Sequence, residues 1–300
     1  MSEASNEHLD GVPRYWDTFL GVSPGSMNSG DARVILIPVP YDSTTSYKSG
    51  SRDGPNAIIA ASRQLEDYDH ELDREVSDVG IYTVPAVQPD VSGPESMVAR
   101  VERAVSAHVK SGTLIGILGG EHTVTIGAVN ALYKKHPDLS ILYMDAHADM
   151  RDEYMGTRWG HASVARRLVE LCPVVEVGVR SLSIGERHFI DETELPVIFW
   201  PTHGLDMKAV ASRVLESLSK HVYVSVDLDV FDPSTMAAVG NPEPGGMNWH
   251  EVTGLLRCVA GSRQIVGFDI TELSPGEGPE ASAFTAAKLA YKLIGYATEG

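Results

Sequence analysis

Eight short apolar runs, set between longer stretches of helical periodicity, limit what this chain can fold into more than any other feature. They lie at 33–39, 79–84, 114–118, 140–144, 174–179, 196–200, 222–226 and 264–268. Each is rich in Val, Ile, Leu and Tyr and is apolar along most of its length, the pattern of strands buried on both faces in a parallel sheet. Helical patterns fill the gaps at 55–68, 95–110, 124–134, 162–171, 205–218, 248–259 and 281–296. Pro55 after Gly54, and Asn248 before a helical run, read as helix starts. The alternation predicts an α/β fold with helices on both faces of a mostly parallel sheet. At this length a closed barrel is the competing arrangement. Residues 1–32, broken by Gly21, Pro24, Gly25 and Gly30, read as an irregular lead-in. With no linker, low-complexity tract or internal repeat after it, residues 1–300 are expected to form one domain.

Composition removes several functions. With 24 basic and 41 acidic residues the formal net charge is −17, which argues against nonspecific binding to nucleic acid or anionic membranes. The two cysteines, Cys172 and Cys258, form no CxxC. Neither a thiol zinc site nor a disulfide framework is indicated, and a reducing, cytoplasmic compartment is expected. The polar N-terminus shows no signal pattern, and no apolar run approaches the roughly 18 residues of a membrane span.

Three segments place charged residues just after apolar runs: Gly119-Gly120-Glu121-His122, Asp145-Ala146-His147-Ala148-Asp149 and Asp227-Leu228-Asp229. In an open parallel sheet, ligands sit beyond the carboxyl ends of the strands, so the three should meet at one rim. Residues two and four apart on extended chain share a face, so Asp145, His147 and Asp149 can point together, as can Asp227 and Asp229. Four carboxylates and two imidazoles converging in a low dielectric repel one another unless they are paired or bind cations. No surplus of basic residues in these segments could pair them. The donor set of oxygens and imidazoles without sulfur suits two divalent ions such as Mn²⁺.

Together with Pro40-Tyr41-Asp42, Gly50–Pro55 and Asp269-Ile270-Thr271-Glu272-Leu273-Ser274-Pro275, these segments resemble the signatures of the ureohydrolases, the family of arginase and agmatinase. The resemblance runs from about residue 33 to 298. It implies a three-layer αβα fold on an eight-stranded parallel sheet and a hydrolase holding two Mn²⁺ per subunit. Carried over position by position, His122, Asp145, Asp149 and Asp227 would hold one ion. His147, Asp145, Asp227 and Asp229 would hold the other, with Asp145 and Asp227 bridging. Asp149 would also pass a proton to the leaving amine, Glu272 would fix the guanidinium plane, and His161 would shuttle protons or touch substrate. Such a site answers a chemical need. A guanidinium carbon is a poor electrophile, and cations can lower the pKa of bound water from 15.7 toward about 7 to supply a nucleophile. Family resemblance also suggests a homo-oligomer, trimer or hexamer.

Two departures weigh against arginine as substrate. Met150-Arg151 follows Asp149 where arginases carry an Asn, and Ser181, Leu182 and Ser183 follow Arg180 where they tend to carry aspartates. Residues 149–162 look like the short bacterial and archaeal agmatinases, so the expected substrate is agmatine, a small dication, cleaved to putrescine and urea for polyamine biosynthesis. Expected substrate contacts are Arg151, Glu153, Trp159, His161, Ser183, Glu186 and Glu272, with Asp152, Glu153 and Glu186 as an acidic rim. Arg151 leaves open a carboxylate-bearing substrate such as 4-guanidinobutyrate or formiminoglutamate. Guanidine and arginine remain further alternatives, and a noncatalytic guanidino- or metal-binding protein is the alternative outside enzymes.

Overall fold

A computed structural model describes residues 16–23, 25–26, 28–202 and 204–299. Residues 1–15, Pro24 and Met27 of the expected lead-in lie outside the described residues. In chain order the strands are β1 (Val34–Val39), β2 (Tyr68–Asp69), β3 (Arg74–Glu75), β4 (Ile81–Thr83), β5 (Leu114–Gly119), β6 (Leu139–Met144), β7 (Val174–Val179), β8 (Val197–Phe199), β9 (His221–Asp227) and β10 (Gln264–Thr271). The α-helices are α1 (Gly54–Ser62), α2 (Pro94–Ser106), α3 (Val124–Lys135), α4 (Val164–Val169), α5 (Ile184–Thr193), α6 (Met207–Ser217), α7 (Trp249–Ala260) and α8 (Ala281–Ala297).

Eight strands form one sheet in the order β4-β1-β5-β10-β9-β6-β7-β8. Every neighbouring pair is parallel. The sheet is open, with β4 and β8 at its edges, so the barrel alternative does not hold. Residues on each strand alternate between two cores. Val34 and Leu36 of β1 pack with α1, α6, α7 and α8 on one face. Ile35, Ile37 and Val39 pack with α2, α3, α4 and α5 on the other. This is the three-layer αβα arrangement, and it explains the continuously apolar runs, since neither face of the sheet meets water. Among the described residues no helix is long and apolar enough to cross a membrane.

The helix starts behave as read. Pro55 sits in the first turn of α1, and Asn248 caps α7, accepting from the backbone N–H groups of His250 and Glu251. The structure differs from these expectations in four places. Helix α1 stops at Ser62, and the β2–β3 hairpin follows it. The lead-in is not wholly irregular: Phe19–Gly21 form one 3-10 turn, Phe19 is fully buried, and the Leu20 N–H donates to Ser62 Oγ. Strand β10 runs on through Asp269 to Thr271, because the acid that breaks the apolar run is itself satisfied inside the sheet. Helix α5 is an element the apolar pattern does not announce. Its start is a capping box in which Ser183 accepts from the Glu186 N–H and Glu186 accepts from the Ser183 N–H. Cys172 is buried, Cys258 half-buried, and both are free thiols.

Candidate active site

The four central strands, β5, β10, β9 and β6, deliver the charged segments to one rim. His122 follows β5, Glu272 follows β10, Asp227 ends β9 with Asp229 just beyond, and the 145–149 segment follows β6. The convergence does not come from extended-chain spacing, as the sequence suggests, but from turns. Asp229 lies in a single 3-10 turn that Asp227 caps, its Oδ1 accepting the Asp229 N–H at 2.8 Å. Asp145 Oδ1 accepts the His147 N–H at 2.7 Å. Asp149 and Glu272 sit at φ of 49° and 65°, backbone conformations that cost a non-glycine residue energy and persist only where the surroundings enforce them.

Two three-residue clusters share Asp145. In one, ligand atoms of His122, Asp145 and Asp227 lie within 4.8 Å of one another; in the other, those of Asp145, His147 and Asp229 do. Asp149 stands beside the first, its Oδ2 at 3.6 Å from His122 Nδ1, and accepts the Tyr143 hydroxyl at 2.7 Å. Asp227, expected to bridge, belongs to the first cluster only, so Asp145 alone is common to both among the described residues.

The proton inventory around His122 shows what the clusters need. Ser225 Oγ donates to Asp269 Oδ1 at 2.8 Å. Its single proton is therefore spent, so at 2.7 Å it accepts from His122 Nε2. In a neutral imidazole that leaves a lone pair on Nδ1, which faces Asp145 Oδ2 (3.1 Å) and Asp227 Oδ2 (3.3 Å) and lies 3.0 Å from the Tyr143 hydroxyl, whose proton goes to Asp149. Asp145 Oδ2 is buried and accepts no hydrogen bond. Lone pair against carboxylates is repulsive unless a proton or a cation stands between them. The proton affinities report the same demand. Burial pulls the His122 pKa down, but the adjoining Asp145 and Asp227 carboxylates outweigh it and raise it well above the usual histidine value. Burial, and then the neighbouring carboxylates, push Asp149 and Asp227 well above the carboxylate range. Oxygen and imidazole donors, one orphaned oxygen and a histidine fixed from behind by Ser225 and Asp269 fit divalent cations.

Residues outside the charged triplets build the support. Tyr143 stacks on His122 with ring centroids 4.6 Å apart. Asp269 is fully buried and accepts from Thr125, Tyr223 and Ser225. The one legible hint is Ser225, two residues before Asp227 on the same strand face.

His161 and Glu272 face the cleft above the clusters, which has a volume of about 610 Å³. Glu121 accepts the N–H groups of Ser43 and Thr44 and the Thr44 hydroxyl. Thr44 Oγ1, its proton given to Glu121, accepts from the His161 backbone N–H at 3.0 Å and lies 3.2 Å from His161 Nδ1. That network places the imidazole proton on Nδ1 and leaves Nε2 able to accept. Burial, then the charge of His147, pushes the His161 pKa down to about 4, so the ring is neutral at pH 7. Glu272 Oε1 accepts the His122 N–H at 2.7 Å, and burial with the nearby Glu121 charge pushes its pKa up to about 8.

Several expected substrate contacts have other work. Glu153 is exposed and Trp159 packs against the core, and neither lines the cleft. Asp152 is taken by Arg158 and Arg167, at 2.9 and 2.6 Å. Glu186 lines the cleft, but its oxygens accept from the N–H and hydroxyl of Ser183 and the N–H of Met150. Ser183 and Glu186 are thus the cap of α5. Arg151 pairs with neither Asp152 nor Glu153. Its Nε is 3.8 Å from Glu186, and its guanidinium lies 4.7 Å from the centre of the Tyr154 ring.

Comparison with known proteins agrees with this geometry. The Arginase family model matches residues 32–295. An N(1)-aminopropylagmatine ureohydrolase of Synechocystis is 38% identical over 89% of this chain and 89% of its own length. An agmatinase of Pyrococcus horikoshii is 35% identical over 88% and 92%. The crystal structure of agmatine ureohydrolase of Thermoplasma volcanium superposes with a TM-score of 0.85 at 30% identity, covering 95% of this chain and 96% of that one. The sheet order, the clusters beyond its central strands and these likenesses together place the chain in the arginase family of ureohydrolases.

Proposed function

We propose that this protein hydrolyses the guanidinium group of agmatine to putrescine and urea, with two Mn²⁺ held by His122, Asp145, His147, Asp149, Asp227 and Asp229. The observation that carries the reading is the His122 lone pair and the orphaned Asp145 oxygen facing each other at the cleft floor. Bound there, the ions would supply a nucleophile from water at neutral pH. The chain's own groups do the rest. Glu272 accepts hydrogen bonds from the guanidinium and orients its plane. His161, neutral with Nε2 facing the Ser46 hydroxyl at 3.2 Å, takes up or returns a proton at the cleft wall. Asp149, kept in place by the Tyr143 hydroxyl, delivers a proton to the departing amine.

The cations lining the cleft speak against a substrate with a carboxylate tail. Arg151 is matched by Glu186, and Lys48 by Glu277 at 3.3 Å. N(1)-aminopropylagmatine is the second reading. It is favoured by the cleft volume of about 610 Å³, roomy for agmatine alone, and by the name of the Synechocystis relative. A single-domain chain, assembly as a homo-oligomer and a cytoplasmic location complete the proposal. Steady-state urea release from agmatine, N(1)-aminopropylagmatine, arginine and 4-guanidinobutyrate tests it. One of the two amines is expected to exceed both carboxylate-bearing compounds in kcat/KM by about 100-fold or more, a gap of about 2.7 kcal/mol. A preference for arginine or 4-guanidinobutyrate overturns the reading.

A further inference from the structure

The outer half of the cleft is made by two loops that touch. A Cβ on Gly240 would lie only 2.9 Å from the Lys48 carbonyl oxygen, and Asn241 Nδ2 donates to Ser46 Oγ at 3.4 Å. Lys48, Arg151 and Glu243 are charged residues lining this region. The first two already have acidic partners, Glu277 and Glu186. The Glu243 carboxylate makes no hydrogen bond and no ion pair among the described residues.

Its backbone, by contrast, is firmly held. Arg180 Nη2 donates to the Glu243 carbonyl at 2.7 Å and to the Asp229 carbonyl at 2.7 Å. One nitrogen therefore ties the backbone of the unmatched acid to that of a residue on the cleft floor. Arg180 Nε also donates to the Glu243 carbonyl, at 3.2 Å, and the other contacts go to the carbonyls of Gly178, Val230 and Phe231. Every guanidinium nitrogen is spent on backbone, so Arg180 is not free to turn toward the Glu243 carboxylate.

We infer that Glu243 is a specificity-determining residue, the acceptor for the ammonium nitrogen on the tail of the guanidino substrate. The inference rests on the proposed function and adds how the tail is read. With the guanidinium at the floor near Asp229 and Glu272, the aliphatic chain runs outward and brings its amine to the lip where the unmatched charge stands. An ammonium gives up strong hydration to enter the cleft, and a carboxylate replaces it with a charge-assisted hydrogen bond. An uncharged tail leaves Glu243 as it was, and a carboxylate tail is repelled, which is discrimination by an unfavourable contact as well as a favourable one.

The test compares agmatine with pentylguanidine, which carries a methyl in place of the terminal amine. In Glu243→Gln the ratio of kcat/KM for agmatine over that for pentylguanidine is expected to fall by about tenfold or more, the scale of a hydrogen bond to a charged group. The loss should appear mainly in the KM for agmatine, and Glu243→Asp should recover part of the ratio. An unchanged ratio overturns the inference, whether both rates hold or both fall together. Should the wild-type holoenzyme release urea from neither compound, nor from N(1)-aminopropylagmatine, the proposed function fails, and calorimetric binding of agmatine decides Glu243 separately. Binding about tenfold weaker to Glu243→Gln upholds it; equal binding overturns it.

Discussion

Asp145→Asn is expected to lower kcat/KM for urea release by about 10³-fold or more, equivalent to about 4 kcal/mol of transition-state stabilisation. Asp145 is the one residue common to both ligand clusters, so the substitution strikes two cation positions at once. It replaces a charged oxygen with an amide that cannot balance divalent charge, and it places amide N–H donors in a region built from acceptors. Side-chain size hardly changes, and the Asp145 backbone N–H keeps its bond to the Val177 carbonyl, so the sheet should fold. The check is metal content together with circular dichroism and steady-state rate. Native-like spectra with metal and activity both lost are expected. Activity within about tenfold of wild type would show that the shared carboxylate is not the centre of the chemistry.

Gly120→Ala carries the second large effect, and it acts through the backbone. A Cβ at residue 120 would lie 2.0 Å from the Tyr41 carbonyl oxygen and 2.8 Å from the carbon and nitrogen of the same residue. No side chain can swing aside, because the obstacle is main chain. That main chain is also fixed: the Tyr41 carbonyl accepts the Glu121 N–H at 2.7 Å, and the Gly120 N–H donates to Val39 at 2.9 Å. Relief of the clash must move the loop after β5, which carries His122. It must also move the start of the loop after β10, because the Glu272 N–H donates to the Gly120 carbonyl. The expected cost is about 3 kcal/mol, seen as a fall in Tm of about 5–10 °C, with urea release reduced beyond the loss of folded protein. Scanning calorimetry beside rate measurements at a temperature where both proteins are folded separates the two. A Tm within about 1 °C of wild type would contradict the packing described.

The parallel sheet was legible because its strands are buried on both faces, and continuous apolar runs are a local signal. The two core layers follow from the same runs once alternate residues of β1 are seen to face different helices. The end of β10 was not legible. Asp269 interrupts the apolar run, and the hydroxyls that satisfy it come from Thr125, Tyr223 and Ser225 on other elements. Helix α5 was hidden for a different reason. Ile184–Thr193 buries only Glu186 and Ile190, too little for an apolar stripe, and its clearest mark is the cap, Ser183 three residues before Glu186. The charged segments stood out because acids after apolar runs are unusual, yet their convergence depends on a left-handed Asp149 and a 3-10 turn at Asp229, which residue spacing does not encode. The roles of Tyr143 and of the Ser225–Asp269 pair were not legible, because such support is recognised only when strands distant in sequence lie side by side.

Removal and return of metal decides whether cations in the clusters drive urea release. The protein is stripped with a chelator, and urea release from agmatine and N(1)-aminopropylagmatine is measured before and after adding Mn²⁺. The account predicts no urea from the stripped protein, recovery on addition to a plateau at two ions per chain, and no recovery in Asp145→Asn. Equal urea release with and without metal, or none from either substrate in the fully loaded wild-type protein, would contradict it.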